Sequence, residues 1–90
     1  MNKIDAIPPL SALAQPVRLD MFMTIAKHDE GISASEVAAA SKVHLSTASA
    51  HLTILRNAGL VTSRREGRTI IYSPVKTRLR DVINFLSAIT

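Results

Sequence analysis

The amino-acid sequence predicts a small, mainly α fold with one β-hairpin, and three observations carry that reading. Leu45, Ala48, Leu52 and Leu55 recur at i, i+3, i+7 and i+10, the stripe of an amphipathic helix over about residues 45–58. Gly59 suits the left-handed position that ends such a helix. Two arms rich in β-branched residues follow, Leu60 to Arg65 and Arg68 to Tyr72, joined at a Glu66-Gly67 turn, which predicts a hairpin over about residues 60–73. Just upstream, Ser33-Ala34-Ser35-Glu36 is a capping-box pattern that opens a shorter helix. A support helix, a turn, a second helix and an arginine-tipped hairpin make a winged helix-turn-helix. The expected count is five helices and a two-stranded antiparallel wing.

Taken in order, residues 1–7 are expected to be loose. Leu10 to Gln15 form a short first helix if Pro9 takes the first helical position, where its missing N–H has no partner to lose. Pro16 starts the second helix for the same reason, and that helix runs to about His28. It carries one stripe of Leu19, Phe22, Met23 and Ala26 and another of Val17, Met21 and Ile25, so burial on two sides is expected. Asp29-Glu30-Gly31 is a break, Ala34 to Ser41 the support helix, and Lys42-Val43-His44 the turn. After the hairpin, Ser73 or Pro74 starts a last helix, over about residues 75–89. Val75, Leu79, Val82, Ile83, Leu86 and Ile89 share one face of it, and Phe85 widens that face. Packing on one neighbour needs less apolar width. Leu79, Val82, Ile83, Phe85 and Leu86 are therefore expected to form a dimer interface, with help from the first helix.

Ninety residues fit one domain, 1–90. A chain of this size buries only about 60% of its unfolded surface. Apolar residues make up 47% of it, yet Phe22, Tyr72 and Phe85 are the only aromatics, so small aliphatic side chains must fill the core. No apolar run approaches the roughly 20 residues that span a bilayer. The opening MNKIDAIPP lacks the pattern of a secretion signal, which points to the cytoplasm. The absence of cysteine excludes disulfides and thiolate metal sites within these residues. Charge divides unevenly. Residues 1–41 hold three basic and five acidic side chains, net −2, whereas residues 42–80 hold eight basic side chains against Glu66 alone, net +7. The positive half contains the helix over 45–58 and the hairpin, as attraction to phosphates requires.

Enzyme chemistry finds no support. Gly31, Gly59 and Gly67 stand singly at breaks, so no glycine loop cradles a phosphate. There is no paired acidic motif, and Ser49 and His51, two apart on one helix, do not face each other. The helix over 45–58 is more telling. Opposite its apolar stripe lie Ser46, Thr47, Ala50 and Asn57, with Ser49 and His51 near the edges. That face is small and free of acid, and fits a DNA major groove, where hydroxyls and an imidazole meet base edges and phosphates.

The stretch STASAHLTILRNAGLVTSRREGRTIIYSP resembles the recognition helix and wing of the ArsR/SmtB family of bacterial winged-helix repressors, and ALAQPVRLDMF, residues 12–22, resembles the opening of the same family. The resemblance runs from about Ala12 to about Leu86. It implies a DNA-binding transcriptional regulator acting as a homodimer on a palindromic operator. Carried over by position, the DNA contacts are Ser46, Thr47, Ser49, Ala50 and His51 on the recognition helix and Arg64, Arg65 and Arg68 on the wing. Leu45 and Ala50 depart from the family, standing where relatives often carry Gln and a His or Arg. Neither donates a hydrogen bond to a base, although Ala50 can touch a thymine methyl. Lys42 and His44 are candidate phosphate contacts.

Each of these residues has a plainer reading. Ser46 can be an N-cap, Ser49 an ordinary surface serine, and His51 a side chain packed at the helix edge. Arg18 and Arg56 read as structural ion-pair partners. Metal sensing, well known in the family, lacks its ligands here. Where many relatives carry a cysteine motif this chain reads Gly31 to Glu36, and the last helix offers Asp81 and Asn84 but no histidine. His28, Asp29 and Glu30 are adjacent but read as a solvated turn. No metal and no cofactor are expected. Two rival functions remain: a protein-docking module whose basic face is incidental, and a metal or metalloid sensor whose ligands lie outside these residues.

Overall fold

The computed structural model describes all ninety residues. The elements run α1 (Lys3–Leu13), α2 (Pro16–Ala26), β1 (Ile32–Ser33), α3 (Ala34–Ser41), α4 (Leu45–Asn57), β2 (Val61–Glu66), β3 (Thr69–Pro74) and α5 (Lys76–Ser87). This is a winged helix-turn-helix, with one strand more than expected. The sheet order is β1-β3-β2, antiparallel throughout, with Ile32 opposite Tyr72 and Ser63 opposite the same residue on the other side. Tyr72 thus sits at the centre of the sheet and is buried.

The core is aliphatic, as so few aromatics dictate. Met21, Phe22 and Ile25 of α2, Val37 and Ala38 of α3, and Ala48, Leu52 and Leu55 of α4 converge with Leu60, Val61 and Tyr72. On α2 the stripe of Val17, Met21 and Ile25 is the better covered, with Met21 and Ile25 buried and Val17 partly so. Leu19 and Met23 lie exposed, because no element packs over that side. The α4 stripe likewise begins one turn late. Leu45, its first residue, is 49% exposed, while the three later members are sealed. The capping box forms in part: the Glu36 amide donates to Ser33 Oγ at 3.1 Å, but the Glu36 carboxylate takes the Ser33 hydroxyl at 2.9 Å rather than a backbone N–H. Ser33 is at the same time the last residue of β1, paired opposite Ile71.

The first helix differs most from expectation. It begins at Lys3, capped by Asn2, whose Oδ1 accepts from the Asp5 amide at 2.8 Å, and it carries Pro8 and Pro9 inside rather than at its start. Each proline deprives the carbonyl four residues earlier of its helical donor. For Pro9 that carbonyl belongs to Asp5, and Arg78 of α5 donates Nη2 to it at 3.4 Å. Ala6, Pro9 and Ala12 are buried on the inner face of α1. Packing on α5 and the core therefore holds a helix that its own sequence disfavours.

The last helix starts later than expected because Ser73 and Pro74 complete β3. Its apolar face is also divided differently. Val82 is buried within the protomer and so is not free for the dimer contact expected of it, while Leu79 is half-buried against the core. Phe85 is half-buried, and Ile83, Leu86 and Ile89 stay exposed.

The hairpin loop comprises Gly67 and Arg68, with Glu66 paired to Thr69, one residue later than the sequence suggests. A glycine at the first of two central positions, here at φ +62°, is the type II′ arrangement that matches strand twist. Gly31, at φ +113°, is more constrained: a Cβ there would run into the Ile71 methyl and lie 3.0 Å from Ser73 Oγ. Gly31→Ala should lower stability by about 2–4 kcal/mol, combining backbone strain with overpacking. Gly67→Ala, which faces open space, should lose about 1 kcal/mol from backbone conformation alone. Urea denaturation of both variants checks this, and equal losses would mean that the Gly31 turn is not closely packed.

Candidate nucleic-acid interface

Burial of Ala48, Leu52 and Leu55 turns the opposite face of α4 to solvent, where Ser46, Thr47, Ser49 and Ala50 are all exposed. Ser46 is not the N-cap. His44 holds that position and its side chain makes no capping bond, so the amides of the first turn of α4 stay open to an outside acceptor. Lys42 and His44, just before the helix, are exposed. Lys42 has φ +57°, the only non-glycine residue with positive φ, and it caps the C-terminus of α3. A β-carbon in that region costs roughly 1–2 kcal/mol.

The wing splits its arginines between two faces, since neighbouring strand residues alternate. Arg64 pairs opposite Ile71, on the face away from the helices. Its guanidinium donates to the Glu30 carbonyl at 2.9 Å and to Ser73 Oγ at 3.3 Å, and it meets Glu66 Oε1 at 3.0 Å. Those bonds tie the wing to the turn before β1, so Arg64, expected as a DNA contact, is engaged within the chain. Arg65 pairs opposite Ile70, on the face that α4 approaches, and Arg68 lies in the loop; neither side chain has a partner within the chain. Arg68, Thr69 and Ile70 line a recess of about 160 Å³ with Leu45 and Ser49 of α4 and Ala34 and Ser35 of α3. Arg68 of the wing and Ser49 of the hydroxyl face of α4 thus border one recess.

His51 is half-buried at the edge of α4, its Nδ1 at 3.3 Å from Nη1 of Arg18 on α2. Arg18 also donates Nε to the Ala12 carbonyl at 2.7 Å. Arg56 reaches Ser63 Oγ at 3.4 Å. Neither arginine forms the ion pair expected of it: Arg18 meets a carbonyl and an imidazole, Arg56 a hydroxyl. The tie between Arg18 and His51 crosses 33 positions and leaves no local pattern to read. The split between Arg64 and Arg65, by contrast, follows from strand parity once the register is known.

No group of three His, Asp or Glu side chains is placed to hold a metal ion. Asp29 of the acidic turn is paired with Lys76 Nζ at 2.6 Å.

A helix with an open N-terminus and a hydroxyl face, flanked by an arginine-bearing wing, defines a winged helix-turn-helix DNA-binding protein. Residues 13–64 match a family described as a helix-turn-helix domain. The transcriptional repressor SmtB homolog of Synechocystis sp. is 43% identical over 63 residues, 70% of this chain and 46% of that protein. The transcriptional activator HlyU of Vibrio cholerae is 31% identical over 85 residues, 94% of this chain and 77% of that protein. Among solved structures, a homodimeric winged helix-turn-helix DNA-binding domain from Mycobacterium bovis superposes with a TM-score of 0.74 at 29% identity, covering 94% of this chain and 74% of that one. The chain belongs to the ArsR/SmtB family of helix-turn-helix transcriptional regulators. That family regulates transcription and is not one of enzymes. The chain spans between 46% and 77% of the length of the curated relatives it matches.

Two substitutions separate holding from binding. Arg64→Ala should cost about 1 kcal/mol, its bonds being half-exposed, whereas Arg65→Ala should stay within about 0.5 kcal/mol of the parent. Lys42→Gly should stabilise by about 1 kcal/mol through release of its backbone strain. Chemical denaturation reads all three, and a destabilised Lys42→Gly would show that its side chain supports the turn.

Proposed function

We propose that this chain is a homodimeric transcriptional repressor that binds a palindromic operator, in the cytoplasm where that DNA lies. The carrying observation is the recess that Arg68 of the wing and Ser49 of α4 share, with Arg65 free on the same wing and Ser46, Thr47 and Ala50 exposed on the same helix. In this reading α4 enters the major groove, its short hydroxyls and Ala50 meet base edges, and the wing arginines bind flanking phosphates. Lys42, His44 and the open first turn of α4 add phosphate contacts. Arg64 holds the wing at its angle.

Dimerisation rests on α1 and α5. The two helices pack together, and outside that contact they leave Ile4, Ile7, Ile83, Leu86 and Ile89 exposed. Such a surface suits a two-fold interface, in which one patch meets its own copy. The homodimeric relative from Mycobacterium bovis supports this, and the SmtB homolog supports repression. Two copies of α4 would then lie about 34 Å apart, one turn of DNA. No helix is long and apolar enough to cross a membrane.

Sedimentation at several concentrations should give a dimer at micromolar protein, and Leu86→Glu should dissociate it. Fluorescence anisotropy with operator and scrambled duplexes should show steep salt dependence. Each phosphate contact contributes about −0.9 to the slope of log K against log salt, so Arg65→Ala or Arg68→Ala should flatten a dimer's slope by about 2. Thr47→Ala should mainly relax sequence preference. Weak affinity for every duplex, with wing variants equal to the parent, would favour a protein-docking module instead.

A further inference from the structure

The contact between Arg18 and His51 fixes more than packing. A guanidinium carries only donors, so in a hydrogen bond across this 3.3 Å contact His51 Nδ1 is the acceptor and the ring proton sits on Nε2. Arg18 is held for this task by its own bond from Nε to the Ala12 carbonyl at 2.7 Å, which anchors the guanidinium between α1 and α4.

Nε2 is therefore a donor, and it is available. It makes no hydrogen bond within the chain, and it is not among the buried polar atoms without a partner. His51 follows Thr47 by four residues, so the ring overlies the turn that presents Thr47 to solvent. No other histidine, acid or base is bonded to the ring from α1, α2 or α4.

We propose that Arg18, remote in sequence from the recognition helix, is a positioning residue that sets the hydrogen-bonding polarity with which His51 reads a base. The reading rests on the placement of α4 in the major groove given above. With Nε2 as a donor, His51 accepts guanine, adenine or thymine at its contacted position, since each presents an acceptor there. It rejects cytosine, whose only polar major-groove group is the N4 donor. Without Arg18 the other tautomer becomes available, Nε2 becomes an acceptor, and cytosine is tolerated.

The test has a spectroscopic arm and a DNA arm. Long-range proton–nitrogen correlation on the ¹⁵N-labelled protein reports the tautomer, and His51→Ala identifies the His51 signals by their loss. The expected result is the Nε2–H form in the parent and in Arg18→Lys, which keeps a donor, and a mixture in Arg18→Met. Selection from a randomised duplex library then compares the parent with Arg18→Met, Arg18→Lys, His51→Ala and the Arg18→Met/His51→Ala double variant. One base position should exclude cytosine with the parent. His51→Ala and Arg18→Met should each weaken that exclusion about 3–10-fold, the value of one hydrogen bond, with no further loss in the double variant. Arg18→Lys should restore it. An Nδ1–H tautomer in the parent, an unchanged His51 spectrum in Arg18→Met, or a loss spread evenly over all positions overturns the proposal. Absence of any selected duplex defeats the placement of α4 itself, a separate failure, because the spectrum still reports the pairing. Should Arg18→Met not fold, the parent tautomer and the cytosine exclusion, kept by Arg18→Lys and weakened by His51→Ala, decide the matter.

Discussion

Complete burial of Ala48, Leu52 and Leu55 is the constraint on which the rest of the interface depends. A helix is rigid in rotation, so sealing one stripe against α2, α3 and the sheet settles which side chains face outward. Ser46, Thr47, Ser49 and Ala50 are not arranged by bonds of their own. They are exposed because three apolar neighbours are not. Any loss of packing under α4 should therefore blur recognition before it unfolds the domain. The wing obeys a similar rule through a period of two. Val61 and Tyr72 must face the core, which puts Arg65 on the face of α4 and Arg64 on the other.

The turn at Asp29 to Gly31 makes that parity productive. Lys76 pairs with Asp29, Arg64 binds the Glu30 carbonyl, and the bare Cα of Gly31 lets Ile71 and Ser73 approach. One acidic turn thus joins the start of α5 to the wing. Surface ion pairs are individually weak. The value of this one is geometric, since the wing has few other restraints on its outer face.

Much of this was legible in the sequence. The capping box, the α4 stripe and Gly59 mark their elements by local chemistry, and the ArsR/SmtB family is legible in residues 12–22 and in the stretch from Ser46 to Pro74. What escaped was long-range. Nothing local predicts that Pro8 and Pro9 sit inside a helix, because the compensation comes from α5, about 70 residues away. β1 is two residues long and exists only because β3 offers an edge. Val82 looks on the helical wheel like its neighbours Ile83 and Leu86, and only the placement of α1 decides that it is covered and they are not. The division among Arg64, Arg65 and Arg68 needed the hairpin register, which the sequence placed one residue early.

Arg78 joins the two halves of the molecule. Its side chain lies across Gly59, with Nε 3.3 Å from where a Cβ would stand, and its Nη2 reaches the Asp5 carbonyl that Pro9 leaves without a donor. The C-terminal end of α4 is thereby fixed to α5 and to α1 at one point. A positive side chain there also suits the negative end of the α4 dipole. Because α1 and α5 carry the exposed apolar surface, a dimer built on them would inherit the position of α4 through this junction, with little slack between interface and recognition helix. Half-site spacing would then be set by rigid packing inside each protomer. The buried Nε of Arg78, which has no partner, is the cost of routing one side chain through that crowded point.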